Sequence, residues 1–128
     1  MSDPFGLLDE ELRARLREEP EPRWREPMKA TLTDERFSDP DWVFEPKLDG
    51  VRAIAVRDGE DVQLLSRNHK AMNASYPELV DAIGGLDRDR FVVDGEIVAF
   101  EGDRTSFERL QGRMNLQDPE RARRSGIA

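Results

Sequence analysis

Two apolar runs separated by an Asp-Gly pair constrain the fold of this chain more than any other feature. Val51-Arg52-Ala53-Ile54-Ala55-Val56 and Val62-Gln63-Leu64-Leu65-Ser66 flank Asp58-Gly59. Asp-Gly between two β-favouring runs is a strong short-range signal for an antiparallel hairpin. A second such pair, Asp49-Gly50, stands ahead of the first run and behind Trp42-Val43-Phe44. The spacing therefore predicts a further strand at 42–44, joined to the hairpin by a short loop that carries Lys47.

Helical segments alternate with these runs. Leu7, Leu8, Leu12 and Leu16 recur at helical spacing in a charged stretch that Pro20 and Pro22 end, which predicts an amphipathic helix covering a core face. Ser75-Tyr76-Pro77-Glu78 reads as a capping box opening a second helix, with Leu79, Val80 and Ile83 on one face and Gly84-Gly85 stopping it. Thr105-Ser106-Phe107-Glu108 opens a third in the same way, with Phe107, Leu110 and Met114 as its apolar stripe. Helices interleaved with antiparallel strand pairs define an α+β fold. Residues 1–26 read as an N-terminal helix and a proline-rich linker, and residues 27–128 as the main unit.

At 128 residues the chain supports one domain with a limited core. It has no cysteine, so disulfides and thiolate metal sites are excluded. No leader and no long apolar run is apparent, so the expected location is the cytoplasm, with no membrane association. His69, the only histidine, cannot form a metal cluster alone and reads as a surface loop residue. The net charge of −8 opposes a nucleic-acid partner unless the arginines form a local basic face.

Lys47 is the residue that asks for a chemical explanation. Arginine outnumbers lysine seventeen to three, and only lysine supplies an amine that can lose its proton and attack a carbonyl or phosphorus atom. Glu45, Asp49 and Arg52 stand where they could orient it or hold a substrate. A solvated hairpin lysine remains the alternative. Glu96, set among Phe91-Val92-Val93 and Ile97-Val98-Ala99-Phe100, should face solvent or a cation, because unpaired burial of a carboxylate is costly. Arg67-Asn68 could serve as a polar strand exit or as a cationic contact.

Lys47-Leu48-Asp49-Gly50-Val51-Arg52 resembles the K-x-D-G-x-R nucleophile motif of the covalent nucleotidyltransferases, and its surroundings resemble ATP-dependent DNA ligases. Pro27-Met28 through Thr31-Leu32, Ser66-Arg67-Asn68, Val92 through Val98, and Phe107, Leu110-Gln111 and Arg113 resemble further motifs of that family in the same order. The resemblance implies the N-terminal part of an adenylation domain, with a partial ATP-grasp-like fold. It implies that Lys47 attacks the α-phosphate of ATP and carries AMP, and that Glu45 recognises adenine. Arg52 and Arg67 would hold the ribose and the nucleotide or DNA 5′-phosphate, and Glu96 the ribose or a magnesium ion. The implied partners are ATP, Mg2+ and nicked double-stranded DNA in repair, replication and recombination.

The family's later motifs are an adenine-stacking aromatic, a second metal-binding glutamate and a lysine pair. They have no counterpart here, so the chain alone is expected to be inactive or feeble. A C-terminal portion or a partner chain would have to supply them. An RNA ligase or capping-type nucleotidyltransferase, and a non-catalytic nucleotide- or partner-binding module, are the alternative readings.

Overall fold

The computed structural model describes residues 6–17 and 20–127, so Glu18 and Glu19 at the end of the N-terminal acidic stretch lie outside it. The elements run α1 (Glu10–Arg15), β1 (Val51–Asp58), β2 (Asp61–Ser66), α2 (Pro77–Gly84), β3 (Arg90–Ile97), β4 (Phe100–Glu101), β5 (Arg104–Thr105), α3 (Phe107–Met114) and α4 (Pro119–Arg124). This is the α+β arrangement expected. β1 is the central strand of an antiparallel sheet ordered β2-β1-β3, and β4 and β5 form a separate small hairpin.

The Asp58-Gly59 turn forms as the sequence predicts. Asp58 pairs with Asp61, leaving Gly59 and Glu60 as a two-residue loop, and Gly59 has φ +64, the conformation that tight hairpins demand and glycine adopts without steric cost.

Strand alternation divides the sheet into two faces. On one, Ala53, Ala55 and Leu64 pack with Tyr76, Ile97, Ala99 and Leu110 into the main core, against which Leu79, Val80 and Ile83 of α2 and Phe107 and Met114 of α3 also rest. The apolar stripes read from the sequence on both helices are therefore core. A buried arginine closes this layer: Arg57 donates from Nη1 to the carbonyls of Ile83, Leu86 and Arg88, at 3.0, 2.8 and 2.8 Å. A cation at a helix C-terminus satisfies carbonyls that lack helical partners and opposes the helix dipole.

Both helices start one residue later than the sequence suggested, and neither expected capping box forms. Tyr76 is the N-cap of α2, without a side-chain capping bond, and Ser106 is the N-cap of α3, its hydroxyl accepting from Arg109 N–H. The two hydroxyls expected to cap tie distant segments instead. Buried Ser75 donates to the Leu116 carbonyl at 2.7 Å, and Thr105 Oγ1 accepts from Asp49 N–H at 3.2 Å. The S/T-x-x-E pattern fits a local cap and a tertiary tie equally well, and here the tertiary partner wins.

Two further expectations are corrected. α1 forms with Asp9 as its N-cap, but none of its residues is buried; Leu12 and Leu16 are about half exposed, so this helix covers no core face. No strand forms at 42–44. A strand needs a backbone partner, and among the described residues none pairs with this stretch. Trp42 and Phe44 gather instead on Phe37, with ring centroids 5.2 and 5.5 Å from it.

Candidate functional site

The second face of the sheet carries the candidate chemistry. Its floor is Ile54, Val56 and Leu65, with Trp24 packed against them. Beyond Ile54 the face turns polar. Arg52 on β1 lies directly opposite Glu96 on β3, and Ala53 opposite Ser66 on β2. Arg67 follows Ser66 as the first residue of the turn that ends β2, outside the paired strands. Arg52 and Glu96 thus share one row on adjacent strands about 4.8 Å apart, with Arg67 exposed in the turn that leaves the neighbouring strand. Two cations and an anion in this region suit a polyanion carrying hydroxyl groups.

Arg52 is held in place by a residue that the sequence reading did not single out. Its Nε and Nη2 both donate to the Asp94 carboxylate, a bidentate pair at 2.5 Å. Asp94 sits two residues from Glu96 on the same strand face, diagonal to Arg52, which is the geometry in which long side chains on adjacent strands meet. The Asp-x-Glu spacing on a strand facing an arginine was the available signal. Hydrogen bonding by Arg52 lowers the Asp94 pKa below its ordinary 3.8, outweighing the opposing effect of burial.

A carboxylate with a depressed folded-state pKa contributes stability that is complete above its unfolded value and disappears as pH falls through the folded value. The Arg52–Asp94 contribution is therefore retained at neutral pH and lost in acid below about 3.8. Carboxyl-carbon NMR should place the Asp94 midpoint below 3.8, and Arg52→Ala should return it toward that value.

Lys47 and Glu45 are exposed, in the irregular stretch that leads into β1. Gly50 pins the end of this stretch. A Cβ added there would lie 2.1 Å from the Ile97 carbonyl oxygen and 2.8 Å from Val98 Cγ1, so the backbone passes the end of β3 closer than any side chain allows. One residue earlier, Asp49 N–H is bonded to Thr105. The structure thus pairs Arg52 with Glu96 on one face and sets Arg67 in the turn at the end of the adjoining strand. It leaves Lys47 and Glu45 exposed in the stretch that leads, through the Asp49–Thr105 bond and the Gly50 pin, into β1.

A cavity lined by Pro22, Trp24, Val56, Asp58, Gln63 and His69 opens on the same face. It lies about 13 Å along β1 from Arg52 at Val56, counting four residues of strand rise, and does not include the row. Among the described residues, no group of three His, Cys, Asp or Glu side chains could hold a metal ion.

Comparison with known proteins identifies the family. A family described as "ATP dependent DNA ligase domain" matches residues 27–125. The chain belongs to that family. Among the DNA ligase relatives, "DNA ligase C" of Mycobacterium tuberculosis is 46% identical over 76 residues, 59% of this chain and 21% of the relative. "DNA ligase C2" of Mycolicibacterium smegmatis is 45% identical over 76 residues, covering 59% of this chain and 22% of the relative. "Multifunctional non-homologous end joining protein LigD" of Pseudomonas aeruginosa is 34% identical over 93 residues, 72% of this chain and 11% of the relative. The ligase-family chain thus spans about a fifth of the two mycobacterial relatives. No helix among its described residues is long and apolar enough to cross a membrane.

Proposed function

We propose that this chain provides the nucleotide-charging half of an ATP-dependent DNA ligase adenylation site, on a partial ATP-grasp-like scaffold. The neutral amine of Lys47 attacks the α-phosphorus of ATP. A P–N bond forms, the bond from the α-phosphorus to the bridging oxygen breaks, and pyrophosphate leaves with the electron pair while the amine proton passes to solvent. The product is a lysyl-AMP whose nucleotide is handed to the 5′-phosphate of nicked DNA. Such transfers depend on positioning and on cations that neutralise charge on the phosphate oxygens.

Arg52, pre-oriented by Asp94, and Arg67 present guanidinium groups to the ribose and phosphates. Glu45 reads the adenine. Glu96 takes a ribose hydroxyl or supplies one oxygen to Mg2+, an ion that is commonly bound through one or two carboxylates together with substrate phosphates. Glu96 fits that limited share, since Asp94 beside it is already engaged by Arg52. When bound, the ion would neutralise charge on the phosphates. The net charge of −8 leaves DNA affinity to local arginines rather than to an overall field.

The observation that supports this reading is the Arg52–Glu96 pair on one sheet face, with Arg67 in the adjoining turn and Lys47 three residues from the Gly50 pin. Intact-mass spectrometry after incubation with ATP and magnesium tests it. The proteins compared are the 128-residue chain and the same chain fused to the residues that follow the matched stretch in the M. tuberculosis relative. The fusion should gain the mass of one AMP and lose that gain in Lys47→Ala, while the chain alone should gain little. An adduct that survives Lys47→Ala, or a fusion that never gains one, would refute the assignment.

A further inference from the structure

We propose that Trp24, which precedes the stretch matched by the family, is a positioning residue for Arg67. It acts by clamping the turn that carries that arginine. The proposal rests on the reading of Arg67 as a phosphate-binding group.

Ser66, the last residue of β2, organises the turn. Its N–H donates to the Lys70 carbonyl at 2.8 Å, and its carbonyl accepts from His69 N–H at 2.9 Å. Its hydroxyl oxygen accepts from the N–H groups of Asn68 and Lys70, at 3.3 and 3.1 Å. Arg67 is the first residue inside this loop. The Ser66 carbonyl takes a second donor, the indole N–H of Trp24, at 3.1 Å across 42 residues of sequence. The indole rests on Ile54, Val56 and Leu65, so the clamp is anchored to the floor of the face that bears Arg52.

A second, independent observation concerns His69. It has φ +61, in the left-handed region that glycine enters freely and other residues hold only when their surroundings fix them there. The Trp24 ring is stacked on its imidazole, with centroids 4.5 Å apart and planes 8° from parallel, in addition to the backbone bond from His69 N–H to the Ser66 carbonyl. Trp24 therefore grips the turn at both ends, by a hydrogen bond at Ser66 and a ring stack at His69, with Arg67 and Asn68 between them. The connector ahead of the nucleotide-binding unit thereby becomes part of the site.

The test combines amide hydrogen exchange at His69 and Lys70 with ATP affinity from NMR titration. It uses the unsubstituted chain, Trp24→Phe, His69→Gly, Arg67→Ala and the double variant Trp24→Phe with Arg67→Ala. Trp24→Phe keeps an aromatic ring on the apolar floor and loses only the indole donor, so the chain should still fold. His69→Gly relieves the backbone conformation and removes the stack. Both should speed exchange in the turn. Trp24→Phe should weaken ATP binding by roughly tenfold, the scale of one charge-assisted hydrogen bond, and about as much as Arg67→Ala does. The double variant should lose no more than Arg67→Ala alone, because one residue acts through the other.

Unchanged exchange in Trp24→Phe or His69→Gly overturns the clamp, and additive affinity losses overturn its action through Arg67. ATP affinity that Arg67→Ala does not reduce refutes the phosphate role of Arg67, and with it the positioning function. Exchange alone then decides whether the clamp exists.

Discussion

Replacing Gly50 by alanine is expected to lower the melting temperature by roughly 6–24 °C, from about 3 kcal/mol of overpacking at about 2–8 °C per kcal/mol across the size classes on either side of a 128-residue chain. The new Cβ would meet the Ile97 carbonyl oxygen at 2.1 Å. That neighbour is backbone within the β1–β3 ladder, where Val51 pairs with Ile97, so it cannot rotate aside as a flexible side chain would. The strand ends must separate. Separation also loosens Asp49 from Thr105 and removes the fixed point behind Lys47. Thermal unfolding followed by circular dichroism checks the stability. A melting temperature within 3 °C of the unsubstituted chain would show that the end of β3 yields at little cost.

The second large effect is expected from Arg113→Met, at about 3 kcal/mol. Arg113 is 3% exposed and is the junction of three segments. Its Nε donates to the Ser75 carbonyl at 2.8 Å, its Nη1 to the Ile127 carbonyl at 2.6 Å, and its Nη2 to the Glu78 carboxylate. Its guanidinium also stands 5.8 Å from the centre of the Tyr76 ring. Methionine, unbranched and apolar but shorter, fills the space of the arginine stem and leaves these acceptors without their donors. The expected cost lies at the low end for a broken buried pair because the Glu78 side chain is 43% exposed and regains water.

Burial pushes the Glu78 carboxyl up, but its hydrogen bond to Arg113, with backbone and charge contributions, holds it below its ordinary 4.5. Arg113→Met should therefore raise the Glu78 midpoint as well as lower the denaturation midpoint in urea. A denaturation midpoint that does not move would show the junction to be dispensable.

The strand pair, the Asp58-Gly59 turn and the apolar stripes of α2 and α3 were legible because each depends on short-range periodicity. The row of charges was half legible. Arg52, Arg67 and Glu96 stood out by motif, but the pairing of Arg52 with Glu96 depends on a strand register that joins residues 44 positions apart. Asp94 was read only as part of a motif, because its task is set by an arginine on another strand.

The roles of Ser75 and Thr105 went astray for a related reason. A hydroxyl near a helix start has a local use and a distant one, and the distant partners, Leu116 and Asp49, are invisible to a local pattern. The strand expected at 42–44 shows the limit of composition: Trp42, Val43 and Phe44 favour extended pairing, yet pairing needs a second strand. Arg57 was hidden differently, because in a chain with seventeen arginines nothing local marks a buried one, while Arg113 was read only as part of a motif.

The Gly50 pin also sets how often the amine of Lys47 meets the charged row. Three residues of extended chain reach about 10 Å, so one amine confined to a sphere of that radius has a local concentration on the order of 0.1–1 M. That exceeds by far what a free amine in solution would supply. In the proposed charging reaction, encounter would be provided by the tether, and any element that folds over this stretch would have only to select the direction of attack.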